Sequence, residues 1–116
     1  MSVDLDLAVN GAAVRPGDWV RGRVTVTSGG SSRSLEVSLH YREKTDDYGA
    51  TGRTETVPPL HSGDLTAGQT FDYAIQLPAD ALPNFETFNG SLSWVVEARS
   101  DQFGRDAVAT RPLAVG

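Results

Sequence analysis

Side chains able to carry acid–base or nucleophilic chemistry are few and dispersed. Two histidines, His40 and His61, stand on separate segments with no ligand-type spacing, whereas a metal or catalytic site needs several convergent groups. No cysteine is present, which removes disulfides, thiolate metal sites and a cysteine nucleophile. The serines concentrate in glycine-rich stretches such as Gly29-Gly30-Ser31-Ser32, and a Gly-x-Ser-x-Gly turn is absent, so no base-activated serine is signalled. Lys44 follows no glycine-rich turn, so a phosphate loop is not expected. The carboxylates Asp46, Asp47, Asp64, Asp80, Glu86, Asp101 and Asp106 fall in or beside expected loops. Loop oxygens of this kind can gather calcium, but EF-hand spacing is absent and acidic loops equally serve solubility. A carboxylate pair for glycoside hydrolysis would need a cleft that a domain this small rarely has. The expectation is therefore a chain that is not an enzyme and that holds no cofactor and no metal.

A second group of residues suits recognition instead. If Val20, Val24 and Val26 point inward, then Trp19, Arg21 and Arg23 point outward, and His40 and Arg42 point outward on the next run. An exposed tryptophan beside arginines is typical of binding hot spots. The competing reading is ordinary sheet decoration. Asp4 and Asp6 also point outward, and pairing of the first two strands would set them opposite Arg23 and Arg21 as cross-strand ion pairs, with Trp19 folded over the sandwich end. Phe85 and Phe88 sit in the longest connection and Phe103 in a later one; they either present a binding surface on loops or plug the open end of the fold. Arg53 to Val57 reads as an edge strand stopped by Pro58-Pro59, and an open edge can accept a partner's strand or be guarded by its charges.

The elements that must position these residues are strands. Apolar residues recur at every second position in Val3–Val9, Val20–Val26, Leu35–Tyr41, Phe71–Leu77 and Leu92–Ala98, the period of a half-buried strand. Ala107 to Val115 is weaker and contains Pro112, which suits an edge or terminal strand. Turn chemistry separates the runs: Asn10-Gly11, Arg15-Pro16-Gly17-Asp18, the Ser28–Ser34 glycine-serine loop, Asp46 to Gly52, Thr66-Ala67-Gly68-Gln69 and Pro78 to Gly90. No segment sustains a helical period. The pattern predicts an all-β, two-sheet antiparallel sandwich with about seven strands, one domain over residues 1–116.

Composition is consistent with this. At 116 residues and 39% hydrophobic, the chain suits strands that bury one face and wet the other. A net charge of −5 argues against non-specific nucleic-acid binding and against adhesion to anionic membranes. The start, Met1-Ser2-Val3-Asp4, lacks the basic and apolar regions of a secretory signal, and no apolar stretch approaches the ~20 residues of a membrane span. The expected location is cytoplasmic. Lys44 is the only lysine among ten basic residues, a bias that fits a GC-rich bacterial genome.

The arrangement resembles the arrestin-like family, specifically one arrestin-type, immunoglobulin-like sandwich domain of the bacterial sporulation-control kind. Four stretches carry the resemblance: Arg15-Pro16-Gly17-Asp18-Trp19-Val20-Arg21-Gly22-Arg23-Val24; Leu35 to Arg42; Gly68-Gln69-Thr70-Phe71 through Leu77-Pro78; and Asn89-Gly90 to Ala98, followed by Asp106 and Pro112. They run through nearly the whole chain in order. The resemblance implies a non-catalytic adaptor or regulatory scaffold that binds a protein partner or a second copy of itself through strand edges or end loops. Family members usually pair two such sandwiches, and one is seen here, so functions built between two cups do not carry over. The alternatives are a small-ligand or carbohydrate-binding module and a self-assembling structural subunit. Under the binding readings, Trp19, Arg21, Arg23, His40, Arg42, Phe85 and Phe88 are the candidate contact residues.

Overall fold

The computed structural model describes residues 3–11, 13–45, 49–87 and 90–116, with the backbone alone for 44, 45, 49–51 and 87. Among these residues nine strands follow in chain order: β1 (Asp4–Val9), β2 (Trp19–Ser28), β3 (Ser34–Thr45), β4 (Gly49–Thr56), β5 (His61–Ser62), β6 (Thr70–Gln76), β7 (Phe85–Thr87), β8 (Gly90–Asp101) and β9 (Ala107–Leu113). All pairings between them are antiparallel. One sheet has the order β1-β2-β6. The other runs β4-β3-β8-β7, with β5 also on β3 and β9 also on β8.

The expected two-sheet sandwich is therefore observed, with more strands than about seven. The surplus comes from β5 and β7, which are two and three residues long, too short to display an alternating pattern. β4 also begins at Gly49, inside the polar stretch expected to be a loop, and continues through the expected edge strand at Arg53.

The two sheets pack their alternating apolar faces together. Leu7, Val20, Val24, Val26, Tyr73 and Ile75 from the small sheet meet Leu35, Val37, Leu39, Trp94, Val96 and Ala98 from the large one, and all are buried. Each fully buried aliphatic side chain contributes about 1.5–3 kcal/mol of transfer free energy.

Turn chemistry sets the strand ends. In Arg15-Pro16-Gly17-Asp18 the Asp18 N–H donates to the Arg15 carbonyl at 3.0 Å, Gly17 takes φ of 90°, and the Asp18 carboxylate accepts from the Arg15 N–H at 2.9 Å. Proline followed by a positive-φ glycine suits a type II turn; it delivers the chain into β2 at Trp19. The Gly29–Arg33 segment then carries the chain across from the small sheet to the large one. That crossing decides how the candidate residues are distributed.

Candidate functional site

Because β2 and β3 belong to different sheets, their outward faces point to opposite sides of the sandwich. The structure thus divides the candidate residues that alternation had placed outward together. Trp19, Arg21 and Arg23 lie on the outer face of the small sheet, and His40 and Arg42 on the outer face of the large one.

On the small sheet, Arg23 faces Asp72 of β6 in register, and its Nε donates to Asp72 Oδ1 at 2.8 Å. That bond and the neighbouring negative charge raise the Arg23 pKa further above its ordinary value. β1 pairs with β2 as expected, but the cross-strand ion pairs of Asp4 and Asp6 with Arg23 and Arg21 do not form. Asp4 faces Ser28 and Asp6 faces Thr25, while Asp6 lies 3.5 Å from an Arg111 nitrogen of β9. The direction of each side chain was readable from alternation, but the register and the second neighbour of β2 were not. Trp19 remains half exposed, at 51%, with the Arg21 guanidinium 5.7 Å from its ring centroid, a cation–π arrangement.

On the large sheet, the outer face is organised around a residue that the sequence did not single out. Glu97 on β8 faces Ser38 of β3 in register, and its side chain is only 8% exposed. Its Oε2 accepts from His40 Nε2 at 3.0 Å, and Ser38 Oγ lies 2.8 Å from the same nitrogen. The other ring nitrogen, Nδ1, is 3.0 Å from Thr54 Oγ1 of β4. A carboxylate only accepts hydrogen bonds, so Nε2 carries the proton and, in the neutral ring, Nδ1 accepts from the Thr54 hydroxyl.

Arginines close the cluster from above. Arg99 NH2 donates to Glu97 Oε1 at 3.4 Å, and Arg42 NH2 lies 3.7 Å from the same oxygen. Arg99 also donates to Asp106 at 3.1 Å. The Gln102 N–H, and then Arg99, hold the Asp106 carboxyl below the usual carboxylate range. A shallow depression of about 350 Å³, lined in part by Ser38, His40, Thr54, Glu97 and Arg99, lies over the cluster. The arrangement ties β4, β3 and β8 together through side chains, with both ring nitrogens of His40 engaged. One signal could have found Glu97: a glutamate set among Val95, Val96 and Ala98 in the most apolar run of the chain.

The third feature is the end of the sandwich where β2 and β8 begin and β6 ends. The connection from Pro78 to Asn84 is pinned there. Trp94 Nε1 donates to the Leu82 carbonyl at 2.8 Å, Tyr41 Oη donates to the Pro83 carbonyl at 3.2 Å, and Arg53 NH1 donates to Asp80 Oδ1 at 3.1 Å. Asn84 bridges two strands, accepting from the Trp94 N–H at 3.1 Å and donating to the Leu113 carbonyl at 2.7 Å. With its backbone held, this connection presents Leu82 and Phe85 outward, 60% and 57% exposed. Phe85 therefore does not plug the fold; buried Leu77, Ala81 and Trp94 fill that end. Phe88 lies outside the described residues. Phe103 lies in the β8–β9 connection at the opposite end, under the Arg33 guanidinium at 4.5 Å.

His61 is engaged elsewhere, 5.2 Å from the Phe71 ring and bonded to the Asp64 carbonyl at 3.1 Å. Among the described residues, no three histidine or acidic side chains converge as a metal site; Asp46 and Asp47 lie outside them. No helix among these residues is long and apolar enough to cross a membrane.

No family model matches the chain, and no curated protein matches it in sequence. It is similar in structure to Spo0M, the sporulation control protein from Bacillus subtilis, with a TM-score of 0.67 and 22% identity over 99% of this chain and 49% of that one. The chain thus spans about half the length of that protein. At this identity the likeness is one of fold: the chain has the two-sheet sandwich that its strand pattern predicted, in the arrestin-like form that the four stretches resemble.

Proposed function

We propose that this chain is a non-catalytic, arrestin-like interaction domain that recruits a protein partner, in the cytoplasm, through the end of the sandwich carrying Trp19, Leu82 and Phe85. The observation that carries the reading is the exposure of three large apolar side chains at one end of a fold whose other large apolar residues are mostly interior. Such residues on a pinned backbone lose little conformational freedom on binding, which favours affinity. Tryptophan is prominent among residues that dominate interfaces. The arrestin-like fold supports a binding role as an analogy, and the net charge of −5 favours a protein over nucleic acid as the partner.

The test is capture of a protein partner by the immobilised chain, compared with Trp19→Ala, Leu82→Ala and Phe85→Ala variants of unchanged melting behaviour. Loss of capture in these variants, with retention in Phe103→Ala at the opposite end, is the expected result. Equal capture by all variants would remove the proposed surface. A carbohydrate-binding role has in its favour Trp19, the aromatic that stands on an outward sheet face, and predicts that glycans shift the emission of that residue.

A further inference from the structure

We infer that β4 is a self-complementary edge through which two copies of this chain pair antiparallel, about a two-fold axis passing through Thr54. Among the described residues the large sheet ends at β4, which pairs there only with β3, so every second N–H and C=O along it faces outward. An open edge of this kind is a template for another strand. Pairing is regular from Tyr41↔Arg53 to Ser38↔Thr56, and the one irregularity lies beyond Arg53. The stretch offered is therefore one of regular pairing.

The register follows from two constraints. In an antiparallel pair, directly opposed residues turn their backbone groups alike, both toward the partner or both away. Two identical strands related by a two-fold axis therefore meet with the axis through a residue, never between two. The charges then choose the residue. An axis through Arg53 sets two guanidinium groups opposite each other, and one through Glu55 sets two carboxylates together. An axis through Thr56 brings Pro58, which has no N–H, opposite Thr54. An axis through Thr54 places Arg53 of each copy opposite Glu55 of the other, twice by symmetry, with opposite charges facing across the strands. Arg53 already bonds Glu55 of its own strand at 3.0 Å and Asp80 at 3.1 Å, and its five-donor guanidinium has capacity for a further carboxylate.

The other long edges lack this property. β1 carries Asp4 and Asp6, both acidic; β6 carries one charged residue, Asp72; and β9 contains Pro112. A two-fold β4 pair also closes on itself, as isologous interfaces do, so it gives a dimer and not a fibre.

Light scattering at roughly 100 µM, a concentration that populates micromolar dimers, tests the inference. The chain should scatter as twice its 12.4 kDa mass. Arg53→Glu alone and Glu55→Arg alone should each scatter as monomers, since each sets like charges opposite one another. Mixing the two single variants should restore a dimer, because one copy then presents two acidic and the other two basic residues; the double reversal should restore it as well. The chain lacks cysteine, so Thr54→Cys reports the axis directly: opposed residues lie within disulfide range. That variant should cross-link on oxidation, and Thr110→Cys on β9 should not. A monomeric wild-type chain, single reversals that stay dimeric, a mixture that stays monomeric, or equal cross-linking at both sites would overturn the inference. Glu55→Arg and Thr54→Cys leave Trp19, Leu82, Phe85 and the Arg53–Asp80 bond that pins the connection in place, so with these two variants partner capture and self-pairing succeed or fail separately.

Discussion

Tyr73 lies across Gly22. The two are register partners on β6 and β2, and the Tyr73 hydroxyl reaches past the glycine to donate to the Ala8 carbonyl of β1 at 2.8 Å. One side chain thus spans all three strands of the small sheet along its buried face. The reach depends on the missing side chain: a Cβ at position 22 would collide with the Ala8 oxygen and with the end of the Tyr73 ring.

Gly22→Ala should therefore cost about 1–3 kcal/mol by overpacking, despite alanine's ordinary compatibility with a strand. Tyr73→Phe should cost about 1–2 kcal/mol through the lost hydrogen bond. The double variant should cost less than the sum, because removing the hydroxyl relieves part of the collision. Urea unfolding of the four proteins measures the coupling; strict additivity would show that the two residues act independently.

Burial pushes the Tyr73 hydroxyl up to about 12, from an ordinary value of 10.0. The folded state therefore holds the proton to a higher pH than the unfolded state. The stabilisation is complete below pH 10 and is lost as pH rises from about 10 through about 12. Wild-type melting temperature should fall more steeply over this window than that of Tyr73→Phe. Parallel slopes would show that another group sets alkaline sensitivity.

Glu97→Ala removes the carboxylate on which His40 and Arg99 converge. Breaking a buried pair costs about 3–5 kcal/mol, but the arginines here are nearly half exposed, so water replaces part of what is lost and about 1–3 kcal/mol is expected. Thermal or urea unfolding measures it. Asp72→Asn, which removes a fully surface ion pair with Arg23, should leave the unfolding midpoint within error, since exposed pairs contribute little.

The two tryptophans should report separately. Trp94 is buried and bonded to Leu82, and Trp19 is half exposed. Trp19→Phe should leave a blue-shifted emission that acrylamide hardly quenches, and Trp94→Phe a red-shifted emission that it quenches readily. The second variant should also lose about 1–3 kcal/mol from the abandoned Leu82 carbonyl. Similar quenching in both variants would contradict the burial of Trp94.

Alternation with a period of two is a local property of the backbone, and the sequence alone determined from it which side chains of β2, β3, β6 and β8 face the core. It also determined the turns at Gly17 and Gly68, where positive φ is required. What it left open depends on pairing between residues distant in the chain. Sheet membership placed Trp19 and His40 on opposite sides of the molecule, although both read simply as outward. Register gave Arg23 to Asp72 and not to Asp4 or Asp6, and it buried Glu97 beneath two arginines on a face that alternation marks as wet. Tertiary packing also turned Phe85 outward by pinning the chain before it to Trp94 and Tyr41. In each case the direction of a side chain was written within a few residues, and its neighbours were settled by strands brought together from elsewhere in the sequence.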